Sequence, residues 1–531
     1  MKHILGGLFI IMQVGLYSQE QTVGLFTNEE ASLNGYTLFT NSKTTHLLDN
    51  CGFEVQTWLS DFSPGLGVYL LENGNLLRCG RVSGEFNGGG VGGQFELLSW
   101  NGNTIWSYRF ANEQMQSHHD VEPLPNGNFL TLAWTPLSGE DAVAAGRSFD
   151  ADMWIEKIFE IKIIGTNEIE IVWEWSLADH LVQDQFPDKP NFGVISENPN
   201  KMDFNYIPAD EGLDKDWAHF NAIAYNEQLD QIAISSRDFS EIWIIDHSTT
   251  AEEASTSSGG NSGIGGDILY RYGNPQVYDR GTADDQVLFK QHNIEWVDDD
   301  VPNGGSLSVF NNQWMTDRSR VERWTPPIDG FNYIISEGEA FGPSEPDWTY
   351  EESGFFSSRI SGVQFLSNGN AFICSGGTGR FIEVTEDGDI VWEYINPMRS
   401  SLGPTTQGET IFQNAVFRIL KYKPDHPAFE GKDLTPGNPI ELEPFDSDCI
   451  ITATEEFILE KDGLQVVQSL VSNTLEILAE RTSNVQIINL NGVHMDDYQV
   501  NKGLSQIDIS NYSIGMYFVV SNGKVIKFMK Y

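Results

Sequence analysis

Residues 118–128 read His-His-Asp-Val-Glu-Pro-Leu-Pro-Asn-Gly-Asn, and an apolar run beginning Phe-Leu-Thr-Leu follows directly. The second half of this stretch, an apolar residue followed by x-Asn-Gly-Asn and another apolar run, recurs at residues 71–77 and 366–372. Degenerate copies occupy residues 225–234 and 297–309. Asn-Gly between two apolar runs is a strong local signal for a β-hairpin. Each copy therefore predicts a pair of antiparallel strands.

A second pair of apolar runs follows each predicted hairpin. These pairs lie at residues 95–108, 159–175, 241–272 and 381–394. Two consecutive hairpins form a four-stranded sheet, and a series of such sheets is typical of a β-propeller. We therefore expect an all-β fold whose main part is a six-bladed propeller. The longest interval between copies, from residue 124 to residue 225, holds either a further blade or a long insertion.

Composition limits the class of partner. The chain has 531 residues and a net charge of −45, and the acidic residues are spread along its length. This charge argues against nucleic acid and against anionic membrane surfaces as partners, because both would repel it. The aromatic content of 12% and the 51 glycines suit many short strands joined by tight turns.

The first 18 residues have the pattern of an export signal. Lys2 and His3 precede an apolar run, and the small residue Ser18 ends it. The run is too short to cross a bilayer comfortably, so we predict no membrane span and a secreted or cell-surface protein. The four cysteines lack the Cys-x-x-Cys or Cys/His spacing of a zinc site, and their pairing stays open.

The sequence divides into four predicted segments. They are a signal peptide at 1–18, the propeller at 19–435, a linker at 436–454 and a small sandwich-like β-domain at 455–531. A Pro-rich stretch at 424–444 indicates the end of the propeller. Apolar runs at 485–490, 507–509 and 515–520 predict strands of the C-terminal domain.

Histidines recur just before the first strand of several predicted blades. Aligned on the turns, the triplets are His118-His119-Asp120, His219-Phe220-Asn221 and Gln291-His292-Asn293. Equivalent positions of successive blades converge on the propeller axis, so these side chains are expected to meet in one pocket. His292 aligns with His119, but His219 aligns with His118, and alternate residues of a strand face opposite ways. Either the chain bulges at this point or one of the two adjacent histidines lies behind the pocket.

Arg237 extends this group. It lies 18 residues after His219, at the end of the return strand of the same predicted hairpin. A hairpin that leaves the axis and returns brings its last residue beside its first, so Arg237 is expected near His219 and Asn221. A guanidinium fork together with imidazoles and an amide suits a tetrahedral oxyanion such as sulfate or phosphate.

These segments resemble those of the bacterial aryl-sulfate sulfotransferases. The likeness covers about residues 25–435 and rests on a set of short motifs in a fixed order. They are Ser-His-His-Asp at 117–120, Asp-Trp-Ala-His-Phe-Asn at 216–221, Ile-Ser-Ser-Arg at 234–237, Lys-Gln-His-Asn at 290–293, Arg-Ile-Ser-Gly at 359–362 and Pro-Asp-His-Pro-Ala-Phe at 424–429. Roughly the last 75 residues resemble the C-terminal sorting domain of the type IX secretion system.

The resemblance implies transfer of a sulfuryl group from a phenolic sulfate ester to a phenol, in a ping-pong reaction. It implies neither a nucleotide sulfate donor nor any cofactor. His292 would be the nucleophile and would form a transient sulfohistidine. His219, Asn221 and Arg237 would hold the sulfuryl oxygens as charge builds up on them.

The resemblance also implies roles for the remaining polar residues of the triplets. His118 or His119 would complete the pocket and exchange a proton with the phenol. Asn293 stands where many relatives have Asp, and its amide would fix the tautomer of His292. The implied partners are a phenolic sulfate donor, a phenol acceptor and the type IX secretion machinery. The oligomeric state, including a homodimer, stays open.

Two other classes of protein remain as alternatives. One is a non-catalytic propeller that binds sulfated or phenolic ligands. The other is a quinone-dependent dehydrogenase-like propeller, which would need calcium ligands and a platform for stacking its cofactor. The acidic run at 298–300 lacks the alternating ligand spacing of a calcium loop, so no metal site is predicted.

Overall fold

The computed structural model describes residues 20–208, 215–445 and 449, and residues 464–530 apart from 467–469, 472, 480, 490–492, 514 and 522–523. The predicted signal peptide at 1–18 and most of the second half of the predicted linker lie outside the described residues. The chain forms two compact units, Met1–Asp448 and Cys449–Tyr531.

The first unit contains six antiparallel sheets of four or five strands, which we number as blades 1 to 6. Blade 1 has strands Tyr36–Thr40, Thr44–Leu48, Glu54–Leu59 and Ile419–Tyr422, and blade 2 has Pro64–Leu70, Leu76–Arg81, Gly93–Leu98 and Thr104–Arg109. Blade 3 has Gln116–Pro123, Phe129–Leu137, Met153–Ile164 and Glu168–Ser176, and blade 4 has Phe220–Asn226, Gln231–Ser236, Glu241–Asp246 and Tyr270–Tyr272. Blade 5 has His292–Trp296, Leu307–Met315, Arg318–Trp324 and Trp348–Tyr350, and blade 6 has Gly362–Phe365, Ala371–Ser375, Arg380–Val384, Ile390–Ile395 and Gly24–Asn28. The prediction of an all-β, six-bladed propeller is confirmed.

The two ends of the propeller sequence meet in blades 1 and 6. In blade 1 the late strand Ile419–Tyr422 pairs with Tyr36–Thr40 from near the N-terminus. In blade 6 the early strand Gly24–Asn28 adds to the outer edge of Ile390–Ile395. Backbone hydrogen bonds between distant parts of the chain therefore close the ring, which leaves no long unpaired edge there.

The long interval between residues 124 and 225 holds an insertion rather than a blade. Blade 3 ends at Ser176, and blade 4 begins at Phe220. Between them lie two short parallel strands, Leu181–Val182 and Met202–Asp203, with 3-10 turns at Leu177–Asp179 and Ile195–Glu197. The last residues of the insertion, 215–219, lead directly into the first strand of blade 4.

Besides Trp134 in the second strand of blade 3, each blade places one tryptophan in the core with at most 1% of its surface exposed. These residues are Trp58, Trp106, Trp175, Trp243, Trp324 and Trp392 in blades 1 to 6. Most of their indole N–H groups donate across a blade boundary, as Trp106 does to the carbonyl of Glu168 and Trp392 does to that of Asn50. Burial of so large a ring with its polar atom satisfied joins neighbouring blades, and truncation to alanine costs about 3–5 kcal/mol at such sites.

The second unit is a small β-sandwich. One sheet has three strands, Leu464–Val466, Thr474–Ala479 and Gly503–Asp508, and the other has five, Leu470–Val471, Ser483–Asn489, His494–Val500, Gly515–Ser521 and Lys524–Lys530. Their facing apolar side chains, such as Ile477, Ile487 and Phe528, are fully buried. Throughout the described part of the chain, no helix is long and apolar enough to span a membrane.

Candidate active site

The first strands of blades 3 and 4 bulge where they leave the axis. In blade 3, Leu132 pairs with His118 and Thr131 pairs with Val121, so that His119 and Asp120 have no partner in the ladder. The backbone of His119 is left-handed, with φ of 52°, and so is that of His219, with φ of 48°. Non-glycine residues rarely adopt this conformation, and bulges are common beside active sites. The bulges allow His119 to lie beside His219, although His219 aligns with His118 and strict alternation would turn His119 to the opposite face.

A cavity of about 400 Å³ opens at this end of the axis. Two of the predicted residues, His219 and Arg237, line it directly. The other lining residues are Asn87, Gly88, Gly89, Trp154, Asp216 and Asp238. Polar and charged groups dominate the wall, with the indole of Trp154 as an aromatic surface.

Asp216 favours the charged form of His219. Its Nδ1 donates to Oδ2 of Asp216 at 2.7 Å, while Oδ1 of that carboxylate accepts from the indole of Trp134 at 2.9 Å. Burial opposes charge on His219, but the attraction of Asp216 prevails and raises the pKa of the imidazole. The same pairing lowers the pKa of Asp216 against the effect of its own burial. An imidazolium on the cavity wall is suited to hold an anion.

Arg237 lies beside His219, as the hairpin geometry predicts. Its backbone N–H donates to the carbonyl of His219 at 3.1 Å. Its guanidinium is bonded to Asp238, and Nζ of Lys290 lies 3.8 Å from the same carboxylate. The side chain of Arg237 is 20% exposed, and the cavity therefore reaches it.

His292 is not among the residues that line the cavity, but it lies close enough to Arg237 and His219 for their charges to act on it, and it is neutral. Only 3% of its surface is exposed, and burial together with the charge of Arg237 lowers its pKa to about 3. Its Nδ1 lies 2.9 Å from Oδ1 of Asn312. The amide nitrogen of Asn312 donates to the carbonyls of Ser357 and Ile360, at 2.7 and 2.8 Å, which fixes Oδ1 as the acceptor.

It follows that Nδ1 of His292 carries the proton and Nε2 carries a free electron pair. No hydrogen bond engages this Nε2 within the described part of the chain. A neutral imidazole with an unoccupied Nε2 is a good nucleophile.

The structure distinguishes the two adjacent histidines. The ring of His119 lies 4.9 Å from that of His219, centroid to centroid, and thus on the axial side. His118 lies behind it, stacked at 4.0 Å on Trp134, with Nε2 2.9 Å from Oε2 of Glu156. Burial and the charges of nearby histidines and Arg237 lower the pKa of His119 well below its usual range.

The two predicted asparagine ligands are bonded within the protein and do not line the cavity. Nδ2 of Asn221 donates to the carbonyl of Gln291 at 2.7 Å, so it ties blade 4 to the strand that carries His292. Oδ1 of Asn293 accepts from the N–H of Val363 at 2.8 Å, and its Nδ2 donates to Glu295. The amide that holds His292 is that of Asn312, whereas the sequence suggested Asn293.

A glycine-rich loop of blade 2 covers the histidines. The backbone carbonyl of Gly90 accepts from the N–H of His119 at 2.7 Å. A Cβ at Gly90 would lie 2.2 Å from the ring of His119, and one at Gly89 would lie 3.1 Å from that of His219. Gly90 also has a positive φ of 75°, so only glycine fits there without strain.

Sequence reasoning missed Asp216, Asn312 and Glu156. Asp216 begins the Asp-Trp-Ala-His motif, and its place three residues before His219 was a usable signal. Asn312 lies on the return strand of blade 5, two residues after Phe310. Phe310 is the residue that pairs with His292. A hairpin that returns to its start brings Asn312 back beside His292, just as it brings Arg237 back beside His219. Glu156 lies on the third strand of blade 3 and had no such signal.

Comparison with protein families assigns both units. The sequence model described as Arylsulfotransferase (ASST) matches residues 71–396, and the one described as Secretion system C-terminal sorting domain matches residues 471–530. No curated protein matches the chain.

Three of the solved structures similar to the chain cover 72–73% of it, at 10–12% sequence identity. A protein of unknown function from Bacteroides caccae is 12% identical, with a TM-score of 0.39, over 73% of this chain and 99% of that one. The β-propeller domain of Cps50 (Swd1) from Myceliophteria thermophila is 10% identical, with a TM-score of 0.33, over 72% and 87%. A catalytically inactive virginiamycin B lyase from Staphylococcus aureus is 10% identical, with a TM-score of 0.31, over 72% and 91%. No statement about the function of this chain follows from them.

Proposed function

The chain belongs to the arylsulfotransferase family, and from that premise we propose that it transfers a sulfuryl group between phenols through a sulfohistidine on His292. The family is one of sulfotransferase enzymes, and the C-terminal unit is a sorting domain that indicates export to the cell surface or secretion. The proposal adds the identity of the donor class, the ping-pong order and the role of each residue.

In the first half-reaction, Nε2 of His292 attacks the sulfur of the phenolic sulfate ester. The nitrogen–sulfur bond forms as the sulfur–oxygen bond to the phenol breaks, and the phenol oxygen leaves with the bonding pair. Asn312 cannot accept a full proton from Nδ1, so the sulfohistidine keeps that proton and remains cationic at the ring. A cationic imidazole is a good leaving group for the second half-reaction, in which another phenol oxygen attacks the same sulfur.

The groups on the cavity wall stabilise charge on the sulfuryl oxygens. The His219 imidazole and the Arg237 guanidinium both line the cavity, and the charges of both groups act on His292. Their carboxylate partners, Asp216 and Asp238, hold both donors in place before the substrate arrives. Preorganised donors of this kind typically supply about 10²–10³-fold in rate each.

The observation that carries the proposal is the state of His292. It is buried and neutral, its Nδ1–H is bound to Asn312, and its Nε2 is not engaged by the described protein. A structural histidine usually has both ring nitrogens bonded, as His180 does to Asp267 and to the carbonyl of Ala254. The contrast within one chain favours a chemical role for His292.

A two-substrate kinetic experiment tests the proposed order. With p-nitrophenyl sulfate and a second phenol, and with no nucleotide present, sustained release of p-nitrophenol is expected, with parallel double-reciprocal lines for the two substrates. Without an acceptor, release should stop at about one equivalent per chain, because the sulfohistidine has no phenol to receive the group. Intersecting lines, or a requirement for a nucleotide sulfate, would contradict the proposal.

A further inference from the structure

A chain of three buried side chains leads away from the cavity behind His119. Nδ1 of His119 lies 3.0 Å from Nδ1 of His118, and Nε2 of His118 lies 2.9 Å from Oε2 of Glu156. The side chains of His118 and Glu156 are 0% and 1% exposed. The indole of Trp134 stacks on His118. Its N–H donates to the carboxylate of Asp216, which pairs with His219. The same tryptophan therefore holds both these three side chains and the cavity wall in place.

The contacts of Glu156 set the direction of these hydrogen bonds. Oε1 of Glu156 accepts from the backbone N–H of Phe220 at 2.9 Å. Burial raises the pKa of this carboxyl, whereas its bonds to His118 and Phe220 favour the carboxylate, in which Oε2 accepts from Nε2–H of His118. An imidazole that carries its single proton on Nε2 has only a lone pair on Nδ1, so in this arrangement Nδ1–H of His119 donates to Nδ1 of His118. The remaining nitrogen of His119, Nε2, is left as a proton acceptor on the axial side.

We propose that Glu156 and His118 are positioning residues that make Nε2 of His119 the base for the incoming phenol. The proposal rests on the sulfuryl transfer proposed above. The family resemblance left the proton exchange between His118 and His119; the proposal assigns it to His119 and adds the role of Glu156 behind the two histidines. A carboxylate behind an imidazole, which fixes its tautomer and stabilises its charged form, is an arrangement that general bases use. Here one further imidazole lies between the carboxylate and the base.

The neighbouring histidines cannot take this role. Asp216 raises the pKa of His219 against the effect of burial and favours its imidazolium, which cannot accept a further proton. His292 carries the sulfuryl group on Nε2 when the phenol arrives. Burial and the nearby charge of His219 and Arg237 lower the pKa of His119, which favours its neutral form. Histidines whose environments drive their pKa values apart commonly divide the acid and base roles.

The proton balance closes over the two half-reactions. The phenol oxygen forms its bond to sulfur, the nitrogen–sulfur bond breaks with its pair returning to His292, and the phenol proton passes to Nε2 of His119. The new positive charge is shared with His118 and stabilised by Glu156. When the next donor reacts, its leaving phenol oxygen takes the proton back. No other reactant is needed.

Glu156→Gln tests the assignment in the full-length chain. Its side-chain oxygen can still accept from Phe220, but its NH₂ then points at His118 and reverses the hydrogen bonds up to His119. His118→Phe is the second variant, because it can keep the ring stacked on Trp134 while it cannot relay a proton. Glu160→Gln is the matched control, since Glu160 is a buried glutamate of the same strand whose bonds go to Asn126, Asn128 and His247.

The readout is the rate of the second half-reaction with acceptor phenols whose pKa runs from about 7 to about 10. Both variants are expected to lose little with the most acidic phenols, which react as phenolates, and about 10²–10⁴-fold with the least acidic ones. Glu160→Gln should follow the wild type throughout. The steepened dependence on phenol pKa is a signature that a purely structural role would not produce.

The first half-reaction separates this proposal from the one on which it rests. Sulfohistidine formation from p-nitrophenyl sulfate, whose leaving group needs no proton, should stay within about tenfold of the wild type in both variants. A loss that is equal for all acceptors, or no loss at all, overturns the relay while leaving the sulfohistidine intact. Absence of the sulfohistidine in the wild type overturns the proposed function instead.

Discussion

Replacement of His292 by alanine is expected to lower kcat by about 10⁴-fold or more, because the transferred group then has no covalent carrier. Any residual rate would come from direct transfer between two phenols bound near His219 and Arg237. The measurement is sulfuryl transfer from p-nitrophenyl sulfate to a second phenol under saturating substrates. Binding of the donor should change far less than kcat, since the residues that line the cavity are untouched.

His180→Ala is the matched control for this prediction. His180 is also fully buried, and its ring stacks on Trp175 with centroids 5.3 Å apart, outside the candidate active site. Its loss should lower thermal stability and leave kcat per folded molecule within about twofold. Activity in His292→Ala within tenfold of the wild type would rule out His292 as the carrier.

Arg237→Lys is expected to lower kcat by about 10²–10³-fold, with a change in donor KM of less than about tenfold. Lysine keeps the positive charge but loses the planar fork, which can bond two sulfuryl oxygens at once. Because negative charge on those oxygens builds up in the transition state, the loss should fall mainly on kcat. Steady-state kinetics with varied donor concentration separate the two constants.

Arg380→Lys provides the comparison for Arg237→Lys. Arg380 has a similarly exposed side chain, 23% against 20%, and is likewise paired with carboxylates, those of Glu352 and Glu393. It lies in the third strand of blade 6, away from the cavity wall, and its substitution should leave both kinetic constants unchanged. If Arg237→Lys raised KM and spared kcat, the guanidinium would contribute to ground-state binding rather than to the transition state.

The sequence predicted the blades wherever an Asn-Gly turn marked a hairpin. Blades 2, 3 and 6 carry clear copies, and the glycine of the turn in blade 3, Gly127, has the positive φ of 84° that the turn requires. Blade 1 has no such copy, and its strands come from both ends of the propeller sequence. Pairing between segments so far apart in the sequence leaves no local sequence signal. Blade 1 could therefore not be predicted from a repeat.

The candidate site was predictable where hairpin geometry decides it. His219 and Arg237 lie side by side because a hairpin returns to its starting point, and that follows from strand lengths alone. The choice between His118 and His119 did not follow, since it depends on a bulge and a left-handed residue that alternation cannot give. A strand irregularity also explains why Asn312, and not the predicted Asn293, is the partner of His292. The first strand of blade 5 also shifts register, between His292 and Glu295.

The electrostatics of the site reconcile an acidic chain with an anionic substrate. The net charge is −45, yet the cavity holds His219 and Arg237 with Lys290 beside them. Asp216 and Asp238 offset part of this positive charge, but Asp216 favours the protonated form of His219 and Asp238 orients Arg237. Local charge at a few ångströms outweighs distant charge, because screening removes most of the latter beyond about 10 Å.

The most direct test of a histidine-borne sulfuryl group is mass spectrometry of the chain after a short reaction with p-nitrophenyl sulfate and no acceptor. An added mass of about 80 Da, that of one SO₃ group, is expected on the peptide that carries His292. It should disappear when a second phenol is added and be absent from His292→Ala. An adduct on another histidine, or turnover by the wild type with no adduct at all, would contradict the account.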